Sequence, residues 1–153
     1  MRLLGSAVLL ATAYALTSCS SDTTRPPLRN TRSYALESFD GKSLPTVFES
    51  DEITLTALSG SLVLDSTGNS RAVTHVHQNP VNLGPADFDT SIPGEYRFQG
   101  DSIEIGYFGS CRDLCIPNRY GTFTDSTVTL VDPIFMGTGA HTFLYRLVSV
   151  TPP

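Results

Sequence analysis

The chain has 153 residues and 16.5 kDa, with 10 Lys+Arg against 15 Asp+Glu and a formal net charge of −5. That length suits one domain, and a pI near 5.0 with a single lysine, Lys42, excludes a basic surface for nucleic acid. Charged residues are 16 % and hydrophobic ones 40 %, which excludes a chain too polar to form a core.

Met1-Arg2 gives a positive start, and residues 3–16 carry no charge. The apolar run is shorter than the ~20 residues that span a bilayer and has the order of a secretory signal. It ends in Leu16-Thr17-Ser18-Cys19, an aliphatic residue and two small ones before a cysteine. This resembles the bacterial lipobox. The resemblance implies a signal peptide over residues 1–18, cleavage before Cys19, a diacylglycerol on its thiol and a fatty acyl chain, such as palmitate, on its new amino group. One chain anchors marginally and two or more anchor stably, at ~0.8 kcal/mol per buried CH₂. Ser20 stands where the inner-membrane retention signal has aspartate, so the resemblance points to the periplasmic face of the outer membrane. Residues 19–32 hold Ser, Thr, Pro and Arg with one leucine, which predicts a flexible tether. Its Arg25, Arg29 and Arg32 would stay solvated or touch anionic headgroups.

From residue 33 onward no stretch shows helical periodicity, whereas alternation at period two recurs between Gly, Asp, Asn and Pro. Residues 34–39 form the first predicted strand, closed by the turn pair Asp40-Gly41. Residues 44–48 form a short second one, with Pro45 favouring an edge or entry position. Ile53, Leu55 and Ala57 alternate with threonines, and past Ser59-Gly60 the apolar parity moves to Leu62 and Leu64. That slip means a bulge in one strand or a turn between two. After a turn at residues 66–69, a strand covers 71–77, and residues 79–91 read as the longest polar loop. Tyr96 and Phe98 face Ile103, Ile105 and Tyr107 across Gly100-Asp101. A second hairpin joins residues 120–124 to 127–131, and residues 141–150 are the final strand, with Phe143, Tyr145 and Leu147 on one face. The body, residues 33–153, is therefore expected to be all-β. An antiparallel up-and-down meander barrel of about eight strands is favoured over a sandwich, because closure removes the sticky edges.

The segments Tyr34-x-Leu36-x-x-Phe39-x-Gly41 with Leu44-Pro45, Gly94-x-Tyr96-x-x-x-Gly100-Asp101-x-Ile103-x-Ile105, and Tyr145-Arg146 resemble strands of small bacterial lipocalin-like lipoproteins. The resemblance implies the barrel fold. The lipocalin Gly-x-Trp signature is absent, since the chain has no Trp, and ligand binding is not carried over.

Three constellations could carry chemistry. With Cys19 lipidated, Cys111 and Cys115 remain as an even pair in an oxidising compartment, and a disulfide is the natural reading. His75 and His77 lie at i and i+2 on a strand, so both imidazoles could face one Cu or Zn ion. A third ligand would be sought among His141, Asp87, Asp89 and the thiols. Otherwise the two are solvent-facing histidines opposite an inward Ala72, Thr74, Val76 face. Tyr96, Phe98, Ile105 and Phe143 would line an apolar cavity if the barrel is hollow. Gly100-Asp101-Ser102 is a hairpin turn, and no nucleophile elbow or phosphate fingerprint is present.

The expectation is a non-enzymatic, cofactor-free lipoprotein of the cell envelope. It would serve as a structural, interaction or small-ligand-binding module, its partners being membrane lipid and an envelope protein or apolar ligand. A periplasmic metal-binding protein is the alternative. The charge divides unevenly: +1 in the signal, +2 in the tether and −8 in the body, with 6 cations against 14 anions there.

Overall fold

A computed structural model describes residues 24–50, 53–80, 84–108 and 117–153. Its strands are β1 (Thr24–Arg25), β2 (Thr31–Phe39), β3 (Lys42–Ser43), β4 (Thr46–Ser50), β5 (Ile53–Leu64), β6 (Asn69–Pro80), β7 (Ala86–Gln99), β8 (Ser102–Gly106), β9 (Arg119–Phe123), β10 (Thr127–Asp132) and β11 (His141–Thr151). One 3-10 turn spans Phe135–Gly137, and the described residues include no α-helix. Strands β5 to β11 follow one another as an antiparallel meander, and β2 closes the ring by pairing with β11 on one side and β5 on the other. The expected eight-stranded up-and-down barrel is what forms. Strands β1, β3 and β4 are additions that pair with β7, β2 and β5.

The parity slip at Ser59-Gly60 is a bulge within one long strand. The β5–β6 register shifts between Ala57 and Ser59, leaving Leu58 as the extra residue. Here β5 exchanges neighbours, pairing with β4 through Ala57 and with β2 from Ser61. Gly60 fits this crossing because a Cβ there would lie 2.8 Å from the Val73 carbonyl oxygen and 3.1 Å from Leu36 Cδ2. At the turn after β2, Asp40 and Gly41 both take positive φ, 50° and 72°, as a tight hairpin bend requires.

Two expected boundaries differ. Residues 79–91 are not one long loop: β6 runs to Pro80 and β7 starts at Ala86, pairing Gln78 with Ala86 and His75 with Asp89. In β7 the odd positions Asp87, Asp89 and Ser91 are exposed, while Phe88, Thr90 and Ile92 are half-buried. Within residues 87–92 only Phe88 and Ile92 are apolar on that face, too few to mark this part of the strand in sequence. The second difference is the tether. From residue 24 onward it lies against the barrel: β1 pairs Thr24 with Gln99 and Arg25 with Phe98, along the stretch of β7 that β6 leaves uncovered beyond Glu95. Leu28 is buried in the core, and β2 begins at Thr31.

The inward faces make one core, in which Tyr34, Phe39, Leu62, Leu64, Val76, Phe98, Ile103, Val128 and Leu130 are all at most 1 % exposed. The antiparallel order gives the barrel two distinct ends. The near end receives residues 24–30 and carries the short β5–β6, β7–β8 and β9–β10 turns. The far end carries the β3–β4 excursion and the longer connections after β6, β8 and β10.

Candidate functional site

Tyr96, Phe98, Ile105 and Phe143 all point into the barrel, as their parity requires, and are buried there among other side chains rather than around a ligand-sized space. Their exposures are 4 %, 1 %, 3 % and 3 %, which leaves no ligand-sized space beside them. Tyr96 meets Phe98 with ring centroids 5.3 Å apart, Phe98 meets Phe123 at 4.7 Å, and Phe143 meets Phe39 at 4.9 Å and Phe135 at 5.0 Å. A cavity bounded by Thr74, Arg119, Asp132, Phe143 and Tyr145 measures about 10 Å³, room for at most one water.

That small space adjoins a buried polar group that sequence reasoning missed. Arg119 at the start of β9 and Asp132 at the end of β10 form an ion pair at 2.7 Å, with side chains only 9 % and 10 % exposed. Two charges in such surroundings are held by each other, and either alone would be strongly unfavourable. Tyr145 lies beside them. Burial raises its hydroxyl far above the ordinary range; Asp132 adds to this, while Arg119 and a hydrogen bond with Thr74 oppose it. The phenol is therefore neutral at any physiological pH. A signal was available: Arg119 shares parity with Phe123, and Asp132 with Val128 and Leu130.

His75 and His77 sit on the outer face of β6, opposite the inward Ala72, Thr74 and Val76. The sequence offered Asp87 and Asp89 only as distant guesses, yet β7 sets them directly across the ladder. His77 Nδ1 lies 2.6 Å from an Asp87 oxygen, and His75 Nδ1 is hydrogen-bonded to Asp89 in the same way. A carboxylate only accepts, so each Nδ1 carries the proton and donates. Both rings stay accessible, the side chains being 48 % and 39 % exposed. Beside them Leu58, Ser59, Val76 and Phe88 bound an open cleft of about 690 Å³ that also takes in Asp87 and Asp89.

His141 is not part of this group. Its Nδ1 donates to Asp40 at 2.7 Å and its Nε2 contacts the Thr138 hydroxyl at 2.8 Å, so both ring nitrogens are engaged. The imidazole packs among Phe39, Phe48 and Phe135 with tilted and edge-on rings, as part of the far-end packing. Thr138 Oγ1 also lies 2.7 Å from the Phe135 carbonyl, to which it donates, so its hydroxyl serves the 3-10 turn. Cys19, Cys111 and Cys115 lie outside the described residues. Among the described residues, no three His, Cys, Asp or Glu converge where one metal ion could sit.

At the near end, the Tyr96 hydroxyl joins three parts of the chain. It accepts from the Leu28 N–H at 3.0 Å and donates to the Asp65 carbonyl at 2.6 Å. Asp65 itself organises the turn after β5, its carboxylate accepting from the Thr67 and Asn69 N–H groups at 2.8 and 2.9 Å and from the Thr67 hydroxyl at 2.7 Å. No family model, curated protein or solved structure matches the chain.

Proposed function

We propose that the chain is a lipid-anchored protein of the bacterial cell envelope, held at the periplasmic face of the outer membrane. Its barrel is a structural or interaction body that works through its outer surface and loops. The observation that carries this reading is the filled interior: an eight-stranded barrel holds either side chains or one small ligand, and here aromatic and aliphatic side chains occupy the space. The Leu16-Thr17-Ser18-Cys19 sequence supplies the anchor. Exposed apolar residues on the outer wall give a partner something to cover, and Tyr120 and Val131, at 57 % and 40 % exposure, are cross-strand neighbours there.

The docked N-terminal segment makes the reading directional. Cys19 is five residues before Thr24, a span of at most about 18 Å of extended chain. An anchor so close holds the near end toward the lipid and turns the far-end loops away from it. Arg29 and Arg32 lie at this near end, Arg32 already paired with Asp125 at 3.1 Å. The acidic body would thus be oriented at the membrane rather than suspended from it on a long leash.

Mass spectrometry of the mature N-terminus tests the anchor: the proposal expects a chain beginning at Cys19 and carrying acyl mass, and an unmodified Cys19 overturns it. Native mass spectrometry of membrane-extracted protein tests the filled barrel. The expected mass is that of the acylated chain alone. A stoichiometric apolar ligand would overturn the interaction-body reading.

A further inference from the structure

We propose that His75 and His77 form a surface site for one borderline divalent transition metal, Cu²⁺ or Zn²⁺, bound through both Nε2 atoms. Residues i and i+2 project from the same face of β6, which sets the two imidazoles side by side on the outer wall. Metal-binding histidines usually donate the other ring N–H to a carboxylate or carbonyl, which fixes the tautomer, orients the ring and makes the ligating nitrogen more basic. Asp89 and Asp87 do this for His75 and His77, one carboxylate for each ring. In the neutral ring a proton on Nδ1 leaves the Nε2 lone pair free, and that is the form in which imidazole binds metal. The register makes the arrangement self-consistent, since β6 and β7 pair His75 with Asp89 and His77 with Asp87.

Two nitrogen ligands leave the remaining positions to water or to an added ligand, and the adjoining cleft by Leu58, Ser59 and Phe88 gives them room. The bulge at Leu58 helps to shape that cleft, because the extra residue of β5 lies in the strand neighbouring the histidines. Asp87 and Asp89 neutralise the incoming charge without being ligands themselves. The site is therefore open and exchangeable, unlike a closed structural zinc site with four protein ligands. It is separate from the filled interior and does not rest on the lipid anchor.

The test is titration of the full chain in detergent with Cu²⁺ and with Zn²⁺, followed for Cu²⁺ by electron paramagnetic resonance. One ion per chain in the micromolar range is expected, with nitrogen couplings from two imidazoles. His75→Asn/His77→Asn should abolish both the binding and the couplings; because both side chains are outward and half-exposed, the circular dichroism spectrum should not change. Asp87→Asn/Asp89→Asn should keep the two-nitrogen spectrum and weaken affinity by about 10–100-fold. Three results would each overturn the proposal: no binding by 100 µM metal, binding unchanged in the histidine double variant, or a spectrum with sulfur or a single nitrogen ligand.

Discussion

The near end of the barrel is closed by short turns and by hydrogen bonds to backbone atoms, whereas the far end is closed by aromatic rings, two of which adjoin a buried ion pair. At the near end one phenol, Tyr96, links Leu28, Asp65 and its own strand, and the carboxylate of Asp65 holds the adjacent turn. At the far end Phe39 stacks on Phe48 at 4.8 Å and meets Phe135 and Phe143 edge-on at 5.7 and 4.9 Å. The lesson is that one barrel can be sealed by two kinds of interaction that fail differently. Hydrogen bonds to a docked segment break locally, while a ring cluster shared by four segments fails together with the fold.

Substitutions at the two ends should separate these behaviours. The largest losses belong to the far end. Phe39→Ala removes a ring that is fully buried and touches four others, and should cost about 3–5 kcal/mol in denaturant unfolding. Asp132→Ala strands the buried Arg119 charge and should cost a similar ~3–5 kcal/mol; Arg119→Met/Asp132→Leu, which removes both charges, should restore most of it. If the single and double variants were equally unstable, the pair would not be the buried, mutually compensating one described.

At the near end the effects should be smaller and local. Tyr96→Phe leaves the Leu28 N–H without its acceptor and should cost about 1–3 kcal/mol. Hydrogen exchange should quicken at Leu28 and the β5–β6 turn while the far end stays protected, and uniform loosening would contradict the division. Asp125→Ala breaks only the exposed pair with Arg32, Asp125 being 84 % exposed, and should change stability by less than about 1 kcal/mol.

Strong acid should also weaken the near end, through Asp65. Burial pushes the Asp65 carboxyl up, but hydrogen bonds from the Thr67 hydroxyl, from the Asn69 and Thr67 N–H groups and from the Asn69 side chain outweigh it, and the group sits below its ordinary value. A depressed folded value means the stabilisation is present above the unfolded value of ~3.9 and is lost as pH falls through the lower folded value. The stability gap between wild type and Asp65→Asn should therefore close in acid. A gap that stayed constant down to pH 2 would remove Asp65 from this role.

The near end was the more legible in sequence because its signals are local. The turn at residues 66–69 and Gly100-Asp101 announce bends through residues that accept positive φ or hydrogen-bond their own backbone. Alternation gave most of the strands and the inward set of Tyr96, Phe98, Ile103 and Phe143. What stayed hidden depends on partners far along the chain. Leu28 looks like a stray leucine in a polar tether until β1 pairs along β7 and the Tyr96 hydroxyl meets the Leu28 N–H. Asp87 and Asp89 look like loop residues until β6 pairs with them. Arg119 and Asp132 share parity with the inward residues of their own strands, but nothing within either strand says that the other will meet it inside. The histidine pair was visible as a spacing, but its two carboxylate partners came only with the register.

The proposed orientation, near end toward the lipid, can be measured in the acylated protein reconstituted into bilayers that carry paramagnetic headgroups. The account predicts that amide signals in the turns at residues 65–68, 100–101 and 124–126 broaden strongly, while those at residues 133–140 of the far end are spared. Equal broadening at both ends, or broadening confined to residues 133–140, would contradict it.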